Sequence, residues 1–576
     1  MMRFPSALIN FCLVTVSLTG CIPSPHTEET PLSRSKDTMV VSAHPLATDV
    51  GVTMLQKGGN AVDAAVATAF AISVVEPFSA GIGGGGFLLL REGKTGKIQA
   101  LDFRERAPQR ATRNMYLDKE GKVQPRASLD GYQAVAIPGT VAGLYTLHRY
   151  YGKLSWADVV APSIALAKNG FPVSSRFAIF SEFRWNTIKK NPPAFAIFSL
   201  DGKMIKPGEI LIQKDLAKSL EQIARDPQSF YQGNIAKMIA ADMAKNGGLI
   251  TLKDLKEYTP IWRHPLCGNF RQYQVCSMPP PSSGGVALLE MLNMIGDRDL
   301  KAWGRQNPDT IHLLAGAMQI AYADRAEYLG DPAFVKVPVS ALTNPAYGAK
   351  RGAEINLKRA IPSRDVKPYD PKTLSDYRQE SPETTHLTVV DGARNTVSLT
   401  FTVNGGFGAG VVAEGTGILL NNEMDDFASA IGSPNLYKLV GGDSNSIAPG
   451  KTPLSSMTPT IITENGQLRL AMGSPGGSTI ITTVVQLLLN VLVYDMNAGQ
   501  AVSASRFHHQ WLPDELMVEN GSLKTNTLRV LKQQGYDIKE MKPWGNANLI
   551  RVTPNNQLEG AADPRGEGTA KGIDHR

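Results

Sequence analysis

The chain has 576 residues, of which 42% are hydrophobic and 19% are charged. This composition allows a large buried core and excludes a disordered or fibrous protein. The formal net charge of +7 comes from Lys and Arg residues that are scattered along the chain. We interpret them as a solvated surface and predict no nucleic-acid partner.

The N-terminus has the pattern of an export signal. Arg3 supplies a positive charge, residues 4–18 are apolar, and the tetrapeptide Leu18-Thr-Gly-Cys21 follows. The apolar run is shorter than the roughly 20 residues that a membrane-spanning helix needs, so cleavage is expected. The tetrapeptide resembles a bacterial lipobox, which implies that residues 1–21 are the signal and that Cys21 becomes lipid-modified. Ordinary cleavage near residue 20 is the alternative. In both cases we expect an exported, periplasmic protein, and lipid on Cys21 would attach it to the membrane.

The next segment predicts helices followed by strands. Residues 45–76 have helical periodicity with a glycine break, and Asn60 is placed to cap a second helix that is almost wholly apolar and must be buried. A glycine run at residues 81–86 leads into predicted strands at 87–91 and 100–104. A phosphate-binding glycine loop follows a strand and opens a helix, whereas this run does the reverse, so we do not predict a dinucleotide site.

Cys267 and Cys276 flank a predicted hairpin. With a two-residue turn at 271–272, Phe270 pairs with Tyr273, and the cysteines form a non-hydrogen-bonded pair, where strand Cα atoms come closest. This geometry suits a disulfide, which an oxidising compartment permits. Two free thiols are the alternative, and no metal site is predicted.

Two later segments are predicted to link elements. The motif Pro279-Pro-Pro-Ser-Ser-Gly-Gly285 should end a strand and cap the helix that follows. Residues 350–383 are charged and contain prolines, which indicates an exposed connector. A processing site would fit there.

The segment after this connector predicts a hairpin of two strands, residues 384–391 and 396–403. With a three-residue loop, Thr384 lies opposite Thr402, so that the two hydroxyls are neighbours, whereas a four-residue loop would lose this register. The strict alternation of polar and apolar residues in the second strand predicts that it is half-buried.

Common catalytic patterns are missing from the sequence. There is no G-x-S-x-G, H-E-x-x-H or paired CxxC motif, and we interpret His386, His508 and His509 as structural. A free N-terminal Thr offers another route, because its α-amine has a pKa near neutrality and acts as the general base. Cleavage of the bond between Glu383 and Thr384 would make Thr384 such a nucleophile.

A glycine pair offers a second catalytic element. Residues 468–472 predict a strand and an apolar helix begins at Thr479, which places the amides of Gly476 and Gly477 at a helix N-terminus. Two such N–H groups suit a tetrahedral oxyanion. A glycine turn that only permits close packing is the alternative.

Seven motifs give the chain a resemblance to one family. They are Gly59-Asn-Ala-Val-Asp-Ala-Ala-Val-Ala67, Leu101-Asp-Phe-Arg-Glu105, Pro279-Pro-Pro-Ser-Ser-Gly-Gly285, Thr384-Thr-His386, Gly417-Ile-Leu-Leu-Asn-Asn-Glu-Met-Asp-Asp-Phe427, Pro453-Leu-Ser-Ser-Met457 and Gly473-Ser-Pro-Gly-Gly-Ser478. In these motifs the chain resembles the γ-glutamyltransferases, also called γ-glutamyltranspeptidases or glutathione hydrolases, from about residue 39 to residue 572.

The resemblance implies an α/β fold of the N-terminal-nucleophile hydrolase type, a four-layer α/β/β/α sandwich. It also implies one precursor that cuts itself between Glu383 and Thr384. Residues 22–383 would form the large subunit and residues 384–576 the small catalytic subunit, and the two would stay together.

The resemblance further implies roles for individual residues. Thr384 is the nucleophile, Thr402 positions it, and Tyr437 belongs to a Gly/Ser/Pro-rich lid. The substrate's α-amino acid end is expected to bind Arg104, Ser455 and Ser456 through its carboxylate, and Asn404, Glu423 and Asp426 through its ammonium. Taken singly, these residues could instead form a surface salt bridge, a solvated turn, helix caps or loop packing.

The implied reaction passes through a γ-glutamyl ester on Thr384. Glutathione or another γ-glutamyl amide donates the acyl group, and water, an amino acid or a dipeptide accepts it, without metal or organic cofactor. A related cephalosporin or glutaryl acylase is the nearest alternative, although Arg104 and Asp426 argue against it. A cleavage-dead binding protein is a second alternative.

Overall fold

The computed structural model describes residues 32–366 and 384–574. Residues 1–31, which include the proposed signal and Cys21, and residues 367–383, which include Glu383, lie outside the described part. The described chain contains two seven-stranded sheets in which every neighbouring pair of strands is antiparallel.

The first sheet carries the predicted nucleophile strand at its centre. Its strands, in spatial order, are Thr569–Ile573, Thr38–Ser42, Thr385–Val390, Thr396–Thr402, Gly85–Arg91, Ile98–Phe103 and Ile261–Arg263. The second sheet consists, in spatial order, of Ser33–Ser35, Leu558–Ala562, Asn548–Val552, Gln467–Gly473, Thr460–Glu464, Tyr273–Ser277 and Leu266–Phe270.

The sheets stack face to face because side chains alternate along each strand. Leu88 and Leu90 point into a core shared with helices, whereas Phe87 and Leu89 point into a core shared with the second sheet. The free face of the first sheet is covered by helices Pro45–Gln56, Ala61–Val75 and Thr140–Tyr151. The free face of the second sheet is covered by helices Gly284–Ile295 and Thr479–Leu492. A further helix, Pro308–Tyr328, packs on Gly284–Ile295. The four-layer α/β/β/α prediction is therefore confirmed.

The remaining elements surround these layers. The other helices are Trp156–Asn169, Ser175–Ile188, Pro192–Phe198, Lys214–Arg225, Asn234–Lys245, Leu252–Glu257, Leu300–Trp303, Val339–Leu342, Pro345–Glu354, Ala498–Ser503 and Thr525–Gln533. Short strands pair as Phe171–Pro172 with Ile210–Leu211, Ser199–Leu200 with Lys203–Met204, Val412–Ala413 with Ile418–Leu419, and Leu516–Glu519 with both Phe507–His508 and Ile538–Met541. None of the helices in the described ranges has the length and apolar character needed to cross a membrane.

Two local predictions are confirmed. Asn60 caps Ala61–Val75, since its side chain accepts from the N–H groups of Val62 and Asp63, and all fifteen residues of that helix are buried. In the hairpin, Cys267 lies opposite Cys276 and Phe270 opposite Tyr273, and the two Sγ atoms are bonded.

The strand Thr396–Thr402 corrects one prediction, because all seven of its residues are buried rather than half of them. Its polar side chains do not face water. Ser398 Oγ donates to the carbonyl of Met472 in the second sheet at 3.1 Å, and Thr400 Oγ1 lies 2.8 Å from His386 Nδ1. The polar residues of this strand therefore face the second sheet, and its apolar residues face the helices.

The prediction for the linking segments is only partly met. Residues 350–354 complete the helix Pro345–Glu354, and Ser363 and Val366 are buried, whereas residues 356–359 and 364–365 are exposed, as expected for a connector. The rest of the predicted connector, residues 367–383, lies outside the described part. In the other linking segment, the Pro279 to Gly285 motif, Ser283 precedes the helix Gly284–Ile295 but makes no side-chain cap. Its hydroxyl donates instead to the carbonyl of Ser455 at 2.6 Å.

Candidate active site

The register of the central hairpin places two hydroxyls side by side. Thr385 pairs with Phe401, so the next pair outward is Thr384 and Thr402, and Thr384 Oγ1 donates to Thr402 Oγ1 at 3.4 Å. Thr402 Oγ1 also accepts the N–H of Asn404 at 2.7 Å. The predicted register is confirmed.

The glycine run before Gly85–Arg91 allows this strand pair to be packed closely. A Cβ atom on Gly84 would lie 1.8 Å from the carbonyl oxygen of Thr402, a distance that no side chain tolerates. The run therefore lets backbone pass directly behind Thr402. This close approach, and not phosphate binding, explains its composition.

One pocket contains almost the whole predicted site. It is lined by Thr384 and Thr402 together with Arg104, Asn404, Glu423, Asp426, Tyr437, Leu439, Ser455, Ser456, Met457, Gly477 and Ile480. Gly476 lines the wider cavity that adjoins it. Residues from six separate stretches of the sequence thus converge on the Thr384 hydroxyl.

Arg104 is the buried cation of this pocket, so the surface salt-bridge alternative is wrong. Its guanidinium contacts Glu423 through Nη1 and donates to Asp426 Oδ2 through Nη2 at 2.5 Å. Burial opposes the charge, but the surrounding carboxylates together raise the pKa of Arg104 above its ordinary value. The side chains that contact Arg104 carry groups that can also accept from an ammonium.

Glu105 is a buried neighbour of Arg104 for which the sequence predicted no separate role. It is fully buried, and its Oε2 lies 3.9 Å from Arg104 Nη1. Burial raises the pKa of Glu105 to about 7, and burial raises that of its neighbour Glu423 well above the usual range. Burial therefore favours the neutral form of both carboxyls, while the charge of Arg104 opposes this effect. A glutamate next to Arg104 at the end of an apolar strand was the available signal.

The acidic turn Glu423–Asp426 is not solvated, contrary to the simplest alternative. Asp425 is buried, and its carboxylate accepts from Ser128 Oγ at 2.6 Å and from the N–H of Leu436 at 2.8 Å. Asp425 thereby ties the turn to the segment that carries Tyr437.

Tyr437 closes the pocket in this conformation. Its hydroxyl donates to Asn404 Oδ1 at 2.5 Å, and its ring is the nearest group to Gly477. The neighbouring Asn435 donates to Asp426 Oδ1 at 3.0 Å. The predicted lid segment thus lies across two residues that are expected to bind the substrate's ammonium group.

The glycine turn has the predicted strand–turn–helix setting, between Gln467–Gly473 and Thr479–Leu492. Gly477 has a φ of 54°, and a Cβ atom there would lie 2.2 Å from the Tyr437 ring. Among the described residues, neither the Gly476 nor the Gly477 N–H donates a hydrogen bond. Both amides can therefore donate to an oxyanion, and their catalytic role stays a prediction.

Ser455 and Ser456 lie in an extended segment and cap no helix. The Ser455 N–H donates to the carbonyl of Pro281 at 3.0 Å, and Arg325 Nη2 donates to Ser456 Oγ at 3.4 Å. Arg325, on the helix Pro308–Tyr328, is a second buried cation beside the pocket that no sequence motif indicated.

His386, His508 and His509 are buried, and none of them lines the pocket around Thr384. Burial lowers the pKa of His386 to about 3 and that of His508 to about 4, and both rings bond to threonine hydroxyls. The described ranges contain no cluster of three or more His, Cys, Asp or Glu residues arranged to hold a metal ion.

Comparison with known proteins gives a consistent picture. The Gamma-glutamyltranspeptidase family model matches residues 47–573. The glutathione hydrolase proenzyme of Escherichia coli (strain K12) is 47% identical over 534 residues, covering 92% of this chain and 91% of that protein. The acylase ACY 1 proenzyme of Pseudomonas sp. (strain V22) is 36% identical, and 95% of each chain is covered. The solved cephalosporin acylase from Bacillus halodurans has a TM-score of 0.83 and 28% identity, covering 96% of this chain and 98% of that one.

A buried carboxyl beside the nucleophile predicts a pH effect on stability. Glu76 Oε2 accepts from Ser79 Oγ at 3.1 Å and from Thr385 Oγ1 at 3.4 Å. Burial raises the pKa of Glu76 to about 7, although Arg176 opposes the rise and Glu567 adds to it. The contribution of Glu76 to stability is therefore present at acidic pH and is lost as pH rises through 7.

We predict that Glu76→Gln removes this loss. The comparison uses a Thr384→Ala background, which keeps the chain in one piece. Between pH 5 and pH 8, the free energy of unfolding of this Thr384→Ala parent should fall by about 2 kcal/mol more than that of the same protein with Glu76→Gln. Thermal unfolding at both pH values measures the difference. The exposed control Glu182→Gln should behave like the parent, and parallel pH curves for Glu76→Gln and the parent would refute the assignment.

Proposed function

Because the chain belongs to the gamma-glutamyltranspeptidase family, we propose that it is the precursor of an enzyme that moves the γ-glutamyl group of glutathione and related amides. Its sandwich is the N-terminal-nucleophile hydrolase fold, and the acceptor is water, an amino acid or a dipeptide. The observation that carries this proposal is the buried Arg104, Glu423 and Asp426 cluster in the same pocket as the Thr384 and Thr402 hydroxyls.

The first step is the maturation of the precursor. Thr384 Oγ1 attacks the carbonyl of Glu383, the peptide bond becomes an ester, and water hydrolyses that ester. The products are the carboxylate of Glu383 and a free α-amine on Thr384. Residues 22–383 and 384–576 then form the large and small subunits, held together by the strands that they share in both sheets.

The freed amine makes turnover possible because it accepts the proton of Thr384 Oγ1 as that oxygen attacks the donor's γ-carbonyl. Thr402 holds the hydroxyl in place. The tetrahedral oxyanion receives the N–H groups of Gly476 and Gly477, and one such donor typically supplies about 3 kcal/mol of transition-state stabilisation. Collapse expels the leaving amine, which takes the proton, and a γ-glutamyl ester remains on Thr384.

The second half of the cycle resolves this ester. Water yields glutamate, whereas the amine of an amino acid or dipeptide yields a new γ-glutamyl amide. Hydrolysis and transfer are therefore branches of one mechanism. No step requires a metal ion or an organic cofactor.

The donor's α-amino acid end distinguishes this function from that of a glutaryl acylase. Its carboxylate binds Arg104, Ser455 and Ser456, and its ammonium binds Asn404, Glu423 and Asp426. A glutaryl group lacks the ammonium, so it would offer no second cation to Asp426, which then pairs with Arg104 alone. Tyr437 must move away from Asn404 when the donor binds, which gives the lid its gating role.

Thr384→Ala should abolish maturation. A denaturing gel of the wild-type protein should show two bands, the smaller one beginning at Thr384 by N-terminal sequencing, whereas Thr384→Ala should give one band. Thr388→Val, on the same strand but away from the pocket, should still give two bands. A wild-type protein that remains a single chain would contradict the proposal.

Asp426→Asn should reduce turnover of γ-glutamyl p-nitroanilide by about 100-fold or more, because it leaves Arg104 partly unpaired and removes the ammonium's partner. Initial rates of nitroaniline release measure this fall. The exposed control Asp443→Asn should keep wild-type rates. Wild-type protein should also prefer the γ-glutamyl anilide to the glutaryl anilide, and equal rates on the two donors would favour the acylase alternative.

We also propose that residues 1–21 direct export and that Cys21 carries lipid, on the strength of the signal pattern and the lipobox-like tetrapeptide. Bacteria that express the wild-type chain and grow on labelled fatty acid should incorporate label into the protein. Cys21→Ala should remove the label and release the protein from the membrane fraction, whereas Cys12→Ala should change neither. An unlabelled wild-type protein would refute lipidation.

A further inference from the structure

Arg325 stands directly behind the serine pair of the donor pocket. It belongs to the helix Pro308–Tyr328 and is only 4% exposed. Its Nε donates to Ser283 Oγ at 3.0 Å, and its Nη2 donates to Ser456 Oγ at 3.4 Å. Arg104 therefore lines the pocket directly, whereas Arg325 reaches it through the hydroxyl of Ser456.

The contact with Arg325 determines what the Ser456 hydroxyl can do. A guanidinium group only donates hydrogen bonds, so Ser456 Oγ must accept from it and keeps its own proton for another partner. The neighbouring Ser455 is in the same state, because the N–H of Met457 donates to Ser455 Oγ at 3.1 Å. Within the described ranges neither serine proton has an acceptor, so both hydroxyls are set to donate into the pocket.

A frame of hydrogen bonds holds this arrangement. Ser283 Oγ accepts from Arg325 and donates to the carbonyl of Ser455 at 2.6 Å, while Ser282 Oγ donates to the carbonyl of Met457 at 2.6 Å. Ser282 and Ser283 come from the Pro279 to Gly285 motif. The motif therefore serves to clamp the serine segment and to connect it to Arg325.

Arg325 also adds a second buried guanidinium group to this region. The carboxyls of Glu105, Glu423 and Asp426 lie near Arg104, so the region contains buried groups of both charge types. A zwitterion adds no net charge when it is buried among them. A carboxylate beside the serines and an ammonium beside Asp426 match this distribution.

We propose that Arg325 is a positioning residue that makes the pocket specific for donors with a free α-carboxylate, by holding Ser456 as a hydrogen-bond donor. The inference rests on the proposed function, since it assumes a γ-glutamyl donor in this pocket. Arg325 does not contact the reacting atoms. It acts on the donor through the serine pair.

The test compares two donors that differ only in the carboxylate, γ-glutamyl p-nitroanilide and 4-aminobutanoyl p-nitroanilide. Arg325→Met should lower kcat/KM for the γ-glutamyl donor by about 10- to 100-fold, mainly through KM, because a charge-assisted contact is lost. The value for the 4-aminobutanoyl donor should change by less than about twofold, because that donor offers no partner to Ser456. Arg325→Lys, which keeps the positive charge, should fall between wild type and Arg325→Met.

Two further variants separate positioning from general damage. Ser456→Ala combined with Arg325→Met should be no worse than Ser456→Ala alone, because both changes remove the same interaction. Arg305→Met is the matched control, since Arg305 also donates to a serine hydroxyl, that of Ser505, and neither residue lines the pocket around Thr384. It should leave the ratio of the two donors unchanged.

The outcomes are distinguishable. Self-cleavage on a gel reports folding, and Arg325→Lys supplies the same comparison if Arg325→Met does not mature. Equal losses on both donors, or additive losses in the double variant, would overturn the inference while leaving the proposed function intact. A wild-type protein that is inactive on the γ-glutamyl anilide would reject the proposed function and the inference with it.

Discussion

The antiparallel pairing of Thr385–Val390 with Thr396–Thr402 is the constraint on which the site depends. Both strands are buried on both faces, between helices on one side and the second sheet on the other. A slip by one residue would exchange the two faces, so that Leu387 and Leu399 would meet the second sheet in place of polar residues. The core therefore fixes the register, and the register brings Thr384 to Thr402.

The position of the charged groups in the pocket depends on where this hairpin ends. Thr384 and Thr402 lie at the rim between the layers, where segments from the rest of the chain converge, and the Arg104 cluster is removed from water there. Burying such a cluster seldom adds stability, because desolvation offsets the attraction between the charges. We propose that the cluster serves recognition, since an α-amino acid end presents one carboxylate and one ammonium. In this proposal the hydroxyls of Ser455 and Ser456, both oriented as donors, complete the match.

Much of this arrangement could be predicted from the sequence wherever a local rule applied. The loop length predicted the pairing of Thr384 with Thr402, and the almost wholly apolar pattern predicted the buried helix Ala61–Val75. The alternation in Thr396–Thr402 was misleading, because an inter-sheet face rich in hydroxyls has the same pattern as a solvated face. Glu105 and Arg325 were missed because their roles depend on tertiary neighbours. Arg325 is more than 100 residues from the serine that it holds.

The most direct test of the account is to trap the acyl-enzyme. Mature protein mixed with a γ-glutamyl anilide and quenched in acid should carry one γ-glutamyl group on the tryptic peptide of residues 384–394, as measured by mass spectrometry. Hydroxylamine should release the group, because it is an ester on the Thr384 hydroxyl and not an amide on the α-amine. A γ-glutamyl group on another peptide, or turnover with a hydroxylamine-resistant adduct, would contradict the assignment of Thr384 as the nucleophile.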